Sequence, residues 1–155
     1  MRLLVLLAAV MLATALARPF QVLVVSDEEG RVRWQVPATE GTAVVLQYTH
    51  SIYLAPTWER FVVRGGRLHL VDVSSTREAV LEYHRLAPPY RAEGGRLVAA
   101  ISGVTLDGYV LRVGPRGHPT LQVGSRVLPL HAVGVGAAVR IVVRPAPRLG
   151  AWLHR

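Results

Sequence analysis

Tyr48-Thr49-His50-Ser51 places a phenol, two hydroxyls and an imidazole on four consecutive residues, and Glu59 adds a carboxylate shortly after. Groups of these types have three uses. A hydroxyl beside an imidazole and a carboxylate is the material of nucleophilic catalysis. Imidazole and carboxylate are also metal ligands. Without reacting, the same groups can hydrogen-bond a ligand or tie a loop together.

Spacing separates these uses. Ala43–His50 and Thr57–Arg64 are rich in apolar and β-branched residues and read as two strands around the loop Ser51–Pro56. Side chains alternate faces along a strand. A symmetric register sets Leu46 opposite Phe61, Tyr48 opposite Glu59 and His50 opposite Thr57. One face then carries Val44, Leu46, Tyr48, His50, Glu59, Phe61 and Val63, with His50 and Glu59 as diagonal neighbours about 7 Å apart at the backbone. Thr49 points away from His50, and Ser51 can reach it only if the chain turns there. No G-x-S-x-G elbow occurs, so no catalytic residue is assigned and the chain is not read as an enzyme. The histidines at 50, 69, 84, 118, 131 and 154 form no H-x-H or H-E-x-x-H pair, and there is no cysteine. No metal and no cofactor is expected. Two readings stay open. In one, His50 and Glu59 form a hydrogen-bonded pair that fixes the loop. In the other, Tyr48, Thr49, His50, Ser51 and Glu59 bind a ligand or a partner, a use that the apolar loop residues Ile52, Tyr53 and Leu54 favour.

The elements that must position these groups are short. Phe20–Val25, Arg31–Val36, Arg67–Val73, Arg96–Ile101, Tyr109–Val113, Pro119–Val123, Arg126–Ala132 and Ala137–Arg144 all read as strands. Gly65-Gly66 and Asp107-Gly108 are two-residue hairpin signals. Ser74–Arg85 admits a strand, a loop or a short helix, because Pro88-Pro89 bounds it. Gly134-Val135-Gly136 reads as a turn, and Trp34 and Trp58 as core aromatics. About nine to eleven strands with frequent turns predict an all-β fold, an antiparallel β-sandwich or barrel. Crossover helices for a parallel sheet have no room.

Met1-Arg2, the apolar run Leu3–Leu16 and the small residues around Ala17 have the form of a signal peptide over residues 1–17. The chain is therefore expected to be exported to the periplasm or cell envelope. If uncleaved, residues 3–16 would serve as a membrane anchor. Residues 18–155 then make a single β-rich domain with a loose tail from about 145. All 18 basic residues are arginine, and the formal charge is +8. These arginines are scattered, which argues against nucleic acid and leaves a weak attraction to anionic solutes or a membrane surface.

The run LQYTHSIYLAPTWERF, with VVRGGRLHLVDV after it and YVLRVGPRGHPTLQVGSRVLPL further on, resembles a family of small exported bacterial proteins of unknown function. Their genes commonly sit beside those of TAXI-type TRAP transporters. Tyr48, Thr49, His50, Ser51, Glu59 and Phe61 carry the likeness, which covers most of residues 43–144. It implies an accessory role in anionic-solute uptake, through the transporter's membrane subunits, its solute-binding protein or an organic anion. It implies no catalytic residue. One departure stands out: TREAVLEYHRLAPP occupies the place of a glycine-rich segment, so a ligand site that depends on that segment is expected to differ here. The alternatives are an enzyme or small-anion binder built on His50, Ser51 and Glu59, and a structural envelope protein.

Overall fold

Strand alternation resolves into two antiparallel sheets packed face to face, a β-sandwich, in the computed structural model, which describes residues 20–146. The expected signal segment lies outside the described residues, as does the tail beyond 146. One sheet has the order β2-β1-β12-β9, formed by Val32–Pro37, Phe20–Asp27, Ala138–Ala146 and Tyr109–Arg112. The other runs β11-β10-β3-β4-β5-β7-β6, from Arg126–Leu128, Thr120–Val123, Ala43–Thr49, Pro56–Arg64, Arg67–Ser75, Arg96–Ala100 and Arg91–Glu93. The two-residue strand β8, Thr105–Leu106, pairs with β5. No helix among the described residues is long and apolar enough to cross a membrane.

The core lies between the sheets. Leu23, Val25 and Ile141 face Val44, Leu46, Phe61, Val63 and Leu121 across it. The inward positions of β3 and β4 are those that alternation selects, because the two strands differ from the expected register by two residues and not by one. Leu46 pairs with Glu59, Tyr48 with Thr57 and Thr49 with Pro56. A shift of two preserves the face of every side chain. Its cause is His50, which leaves the strand. Its backbone N–H donates to Ala55 O at 2.9 Å and its carbonyl accepts from Leu54 N at 2.8 Å, while Leu54 takes a φ of 50° to close the loop.

Three expectations change. Asp107-Gly108 is not a hairpin turn. β8 before it belongs to one sheet and β9 after it to the other, so the dipeptide carries the chain across the sandwich. Gly108 is there for space: a Cβ would sit 2.9 Å from Val142 Cγ1 and 3.4 Å from Ile141 O. Gly108→Ala is expected to push β9 off β12 and cost about 1–3 kcal/mol, read as a lower denaturant midpoint with the slope unchanged. Trp58 is half-buried outside the main core, with the Arg96 guanidinium 4.4 Å from its ring centre. Trp34 does pack against the core. The strand expected to run to Ala132 stops at Leu128 and gives way to a 3₁₀ turn, Leu130–Val133. By contrast Gly65-Gly66, with φ of 55° and 74°, makes the expected tight β4–β5 turn.

The ambiguous middle segment becomes a short helix, α1, Glu78–Tyr83. Glu78 in its first turn complements the helix N-terminus. Val80 and Leu81 are fully buried, and Leu81 packs on Val73 of β5 and Ala99 of β7. That anchoring holds the helix end, Tyr83 and His84, over the inner face of β3 and β4.

Candidate functional site

Sheet β2-β1-β12-β9 is narrower than the sheet it covers. At its edge strand β9 the inner face of β3 and β4 is left open, and α1 and the turn Gly114–Gly117 close the flanks. The result is a cleft of about 530 Å³. Tyr48, Thr49, His50, Ser51 and Glu59 all line it. So do Tyr83 and His84 from the end of α1, Tyr109 and Arg112 from β9, and Arg116 from the turn.

Glu59 is the buried polar centre, 4% exposed. Tyr48 Oη donates to its Oε1 at 2.8 Å, and Tyr109 Oη donates to the same oxygen at 3.1 Å. His84 Nε2 lies 3.2 Å from Tyr48 Oη. Tyr48 has one hydroxyl proton and spends it on Glu59, so His84 must be the donor in this second contact, with its proton on Nε2. The chain His84–Tyr48–Glu59–Tyr109 thus joins a helix end and both sheets. Burial, and next the charge of Glu59, push both phenols far above the ordinary tyrosine range. At neutral pH they act as hydrogen-bond donors and do not ionise.

Glu59 Oε2 has no protein partner among the described residues. The one fully enclosed side-chain oxygen or nitrogen without a partner there is Gln21 Oε1. Glu59 Oε2 therefore reaches the space of the cleft.

His50 is buried but does not bond Glu59, and the expected His50–Glu59 pair is not formed. The alternation that put both on one face was right. The departure of His50 into the loop turns its ring toward its own backbone. Its Nδ1 accepts from Ile52 N and Tyr53 N, each at 3.4 Å. The ring stacks edge-on against Tyr83, centres 4.9 Å apart. Burial, then the neighbouring His84, lower its pKa below the ordinary 6.5. The folded state thus favours neutral His50, whose contribution is complete above about pH 6.5 and is lost as pH falls through the lowered value. Thermal stability is expected to drop between pH 7.5 and 5. In His50→Asn the side-chain oxygen takes the position of Nδ1 and accepts the same N–H groups without titrating. A melting series over pH is expected to show a shallower acid decline for His50→Asn than for the natural chain.

Thr49 and Ser51 supply no nucleophile geometry: neither hydroxyl bonds His50 among the described residues, and Ser51 is exposed. No group of three or more His, Cys, Asp or Glu placed to hold a metal ion occurs among the described residues.

The family model for a domain of unknown function, DUF1850, matches residues 44–130. The chain belongs to this family. All the cleft-lining residues named above lie within the matched DUF1850 span. No curated protein and no solved structure matches the chain. The segment TREAVLEYHRLAPP contributes to the site: it forms α1 and supplies Tyr83 and His84.

Sequence reasoning brought together Tyr48 and Glu59 but missed Tyr83, His84, Tyr109 and Arg116. Tyr109 left one readable trace. It alternates with Leu111 on the inward face of a strand, and a tyrosine packed inward needs a partner for its hydroxyl.

Proposed function

We propose that this DUF1850 domain is a non-enzymatic binding module that takes a small solute into the β3–β4–β9 cleft, as an exported accessory of a TRAP-type transporter. The observation that carries the binding reading is Glu59, a buried carboxylate with one oxygen held by two phenols and the other directed into a cleft of about 530 Å³. Cavities of this volume suit small organic molecules, and a few convergent polar groups in an apolar lining fix their orientation. Structure-only hydrogen bonding would leave no reason to expose an unpaired carboxylate oxygen in an otherwise buried position. The transporter half of the proposal rests on the likeness of LQYTHSIYLAPTWERF to exported proteins encoded beside TAXI-type TRAP systems.

The test has two arms. Thermal-shift screening of the full chain against small organic acids and amino acids is expected to find a stabilising ligand. At 100 times its dissociation constant, a ligand adds about 2.7 kcal/mol. Affinity capture with the solute-binding protein and membrane subunits of a TAXI-type system is expected to show association. No stabilisation by any solute removes the binding reading. Absence of association at micromolar concentrations removes the transporter reading.

A further inference from the structure

The reading of the cleft as a ligand site leaves the ligand's chemistry open, and burial orders the groups that decide it. Glu59 lies at the floor, 4% exposed, with Oε2 free toward the cleft. Rings of Tyr48, Tyr83 and Tyr109 line the space around it. Arg116 is exposed in the lining of the cleft and forms no ion pair among the described residues, whereas Arg112, on the opposite face of β9 from Tyr109 and Leu111, donates to Gly136 O. A carboxylate with aromatic rings about it is a receptor for an organic ammonium ion: the oxygen accepts its N–H bonds and the ring faces attract its charge. A guanidinium group at the mouth suits a carboxylate. From this ordering we infer that the ligand is a small zwitterion, an α-amino acid, bound with its ammonium on Glu59 Oε2 and its carboxylate toward Arg116.

The inference rests on the ligand-site reading above, and it refines the organic anion expected from the sequence. An anion with no ammonium would bring like charge against Glu59, and this repulsion selects against it. The floor of the cleft therefore separates an amino acid from the oxo acid of the same skeleton.

The experiment is calorimetric titration of the full chain with matched triples. L-leucine is compared with 4-methyl-2-oxopentanoate, which lacks the ammonium, and with 3-methylbutylamine, which lacks the carboxylate. Alanine and phenylalanine triples extend the series to smaller and larger skeletons. At least one amino acid is expected to bind at least tenfold more tightly than both of its twins. Glu59→Gln keeps an oxygen for the two phenols and is expected to weaken that amino acid at least tenfold. Arg116→Ala is expected to narrow the gap between amino acid and amine. An oxo acid or an amine that binds as tightly as its amino acid in every triple overturns the zwitterion inference and leaves the ligand site standing. Failure of every compound to bind overturns both. The comparison among twins needs no variant, so it holds even if Glu59→Gln does not fold.

Discussion

Phe61→Ala is expected to lower the unfolding free energy by about 3–5 kcal/mol, the range for deleting a buried aromatic ring. Typical domains hold about 5–15 kcal/mol in total, so the variant is expected to be close to unfolding at physiological temperature. The ring is 2% exposed and lies in the core cluster between the sheets. It meets Tyr109 of the opposite sheet edge-on, with centres 5.7 Å apart and planes at 71°. Removing it withdraws support from beneath the cleft as well as from the core. Denaturant unfolding followed by circular dichroism gives the loss. Phe61→Leu, which refills much of the volume, is expected to recover a large part of it. A loss below about 1 kcal/mol for Phe61→Ala would show that the sheets collapse over the cavity without penalty, contrary to the close packing of protein interiors.

The second large effect concerns the phenols. Tyr48→Phe and Tyr109→Phe each delete one donor to a buried carboxylate, and hydrogen bonds to charged groups contribute about 1.5–3 kcal/mol. Tyr48→Phe is expected to cost more, because it also removes the acceptor that His84 Nε2 uses. Both phenols serve Glu59 Oε1. After one deletion the other donor remains, but after both the oxygen has no protein partner. The double variant is therefore expected to lose more than the sum of the single losses, and adding Glu59→Gln to it is expected to restore part of the deficit by removing the stranded charge. Additivity within about 0.5 kcal/mol would mean that the two hydroxyls act independently. Both replacements keep their rings, so the Phe61–Tyr109 contact survives and the polar effect is read separately from the packing effect.

The fold was legible where period-two alternation operates. Val44, Leu46, Phe61 and Val63 point into the core as their spacing requires. The Gly65-Gly66 turn follows from glycine's tolerance of positive φ. The errors arose where a local pattern has two physical causes. Asp107-Gly108 looks like a turn, yet its glycine is needed for the closeness of Val142, a contact set by tertiary packing. His50 looks like the last strand residue, yet its ring competes for nearby backbone N–H groups and pulls the chain into the loop. The site was legible to the extent that it is local: Tyr48 and Glu59 share a hairpin. Tyr109 lies 50 residues beyond Glu59 and His84 lies 36 beyond Tyr48. Only the sheet crossing and the docking of α1 bring them in, and neither leaves a periodic mark in the sequence.

β1 and β12 lie side by side along the middle of their sheet, with Phe20 opposite Ala146. β9 meets β12 further along, from Ala138 to Ile141. At about 3.3 Å per residue, the level of Tyr109 lies about 17 Å from that end of β12. Both ends of the described domain thus leave at one pole, away from the cleft's mouth. A short linker joining Ala146 to Phe20, with new ends opened in the Gly94-Gly95 turn, should give a circular permutant with the Glu59 cluster intact. Immobilisation of the described domain through a linker attached at Phe20 or at Ala146 should also leave the cleft facing the solution, which suits surface-based binding measurements.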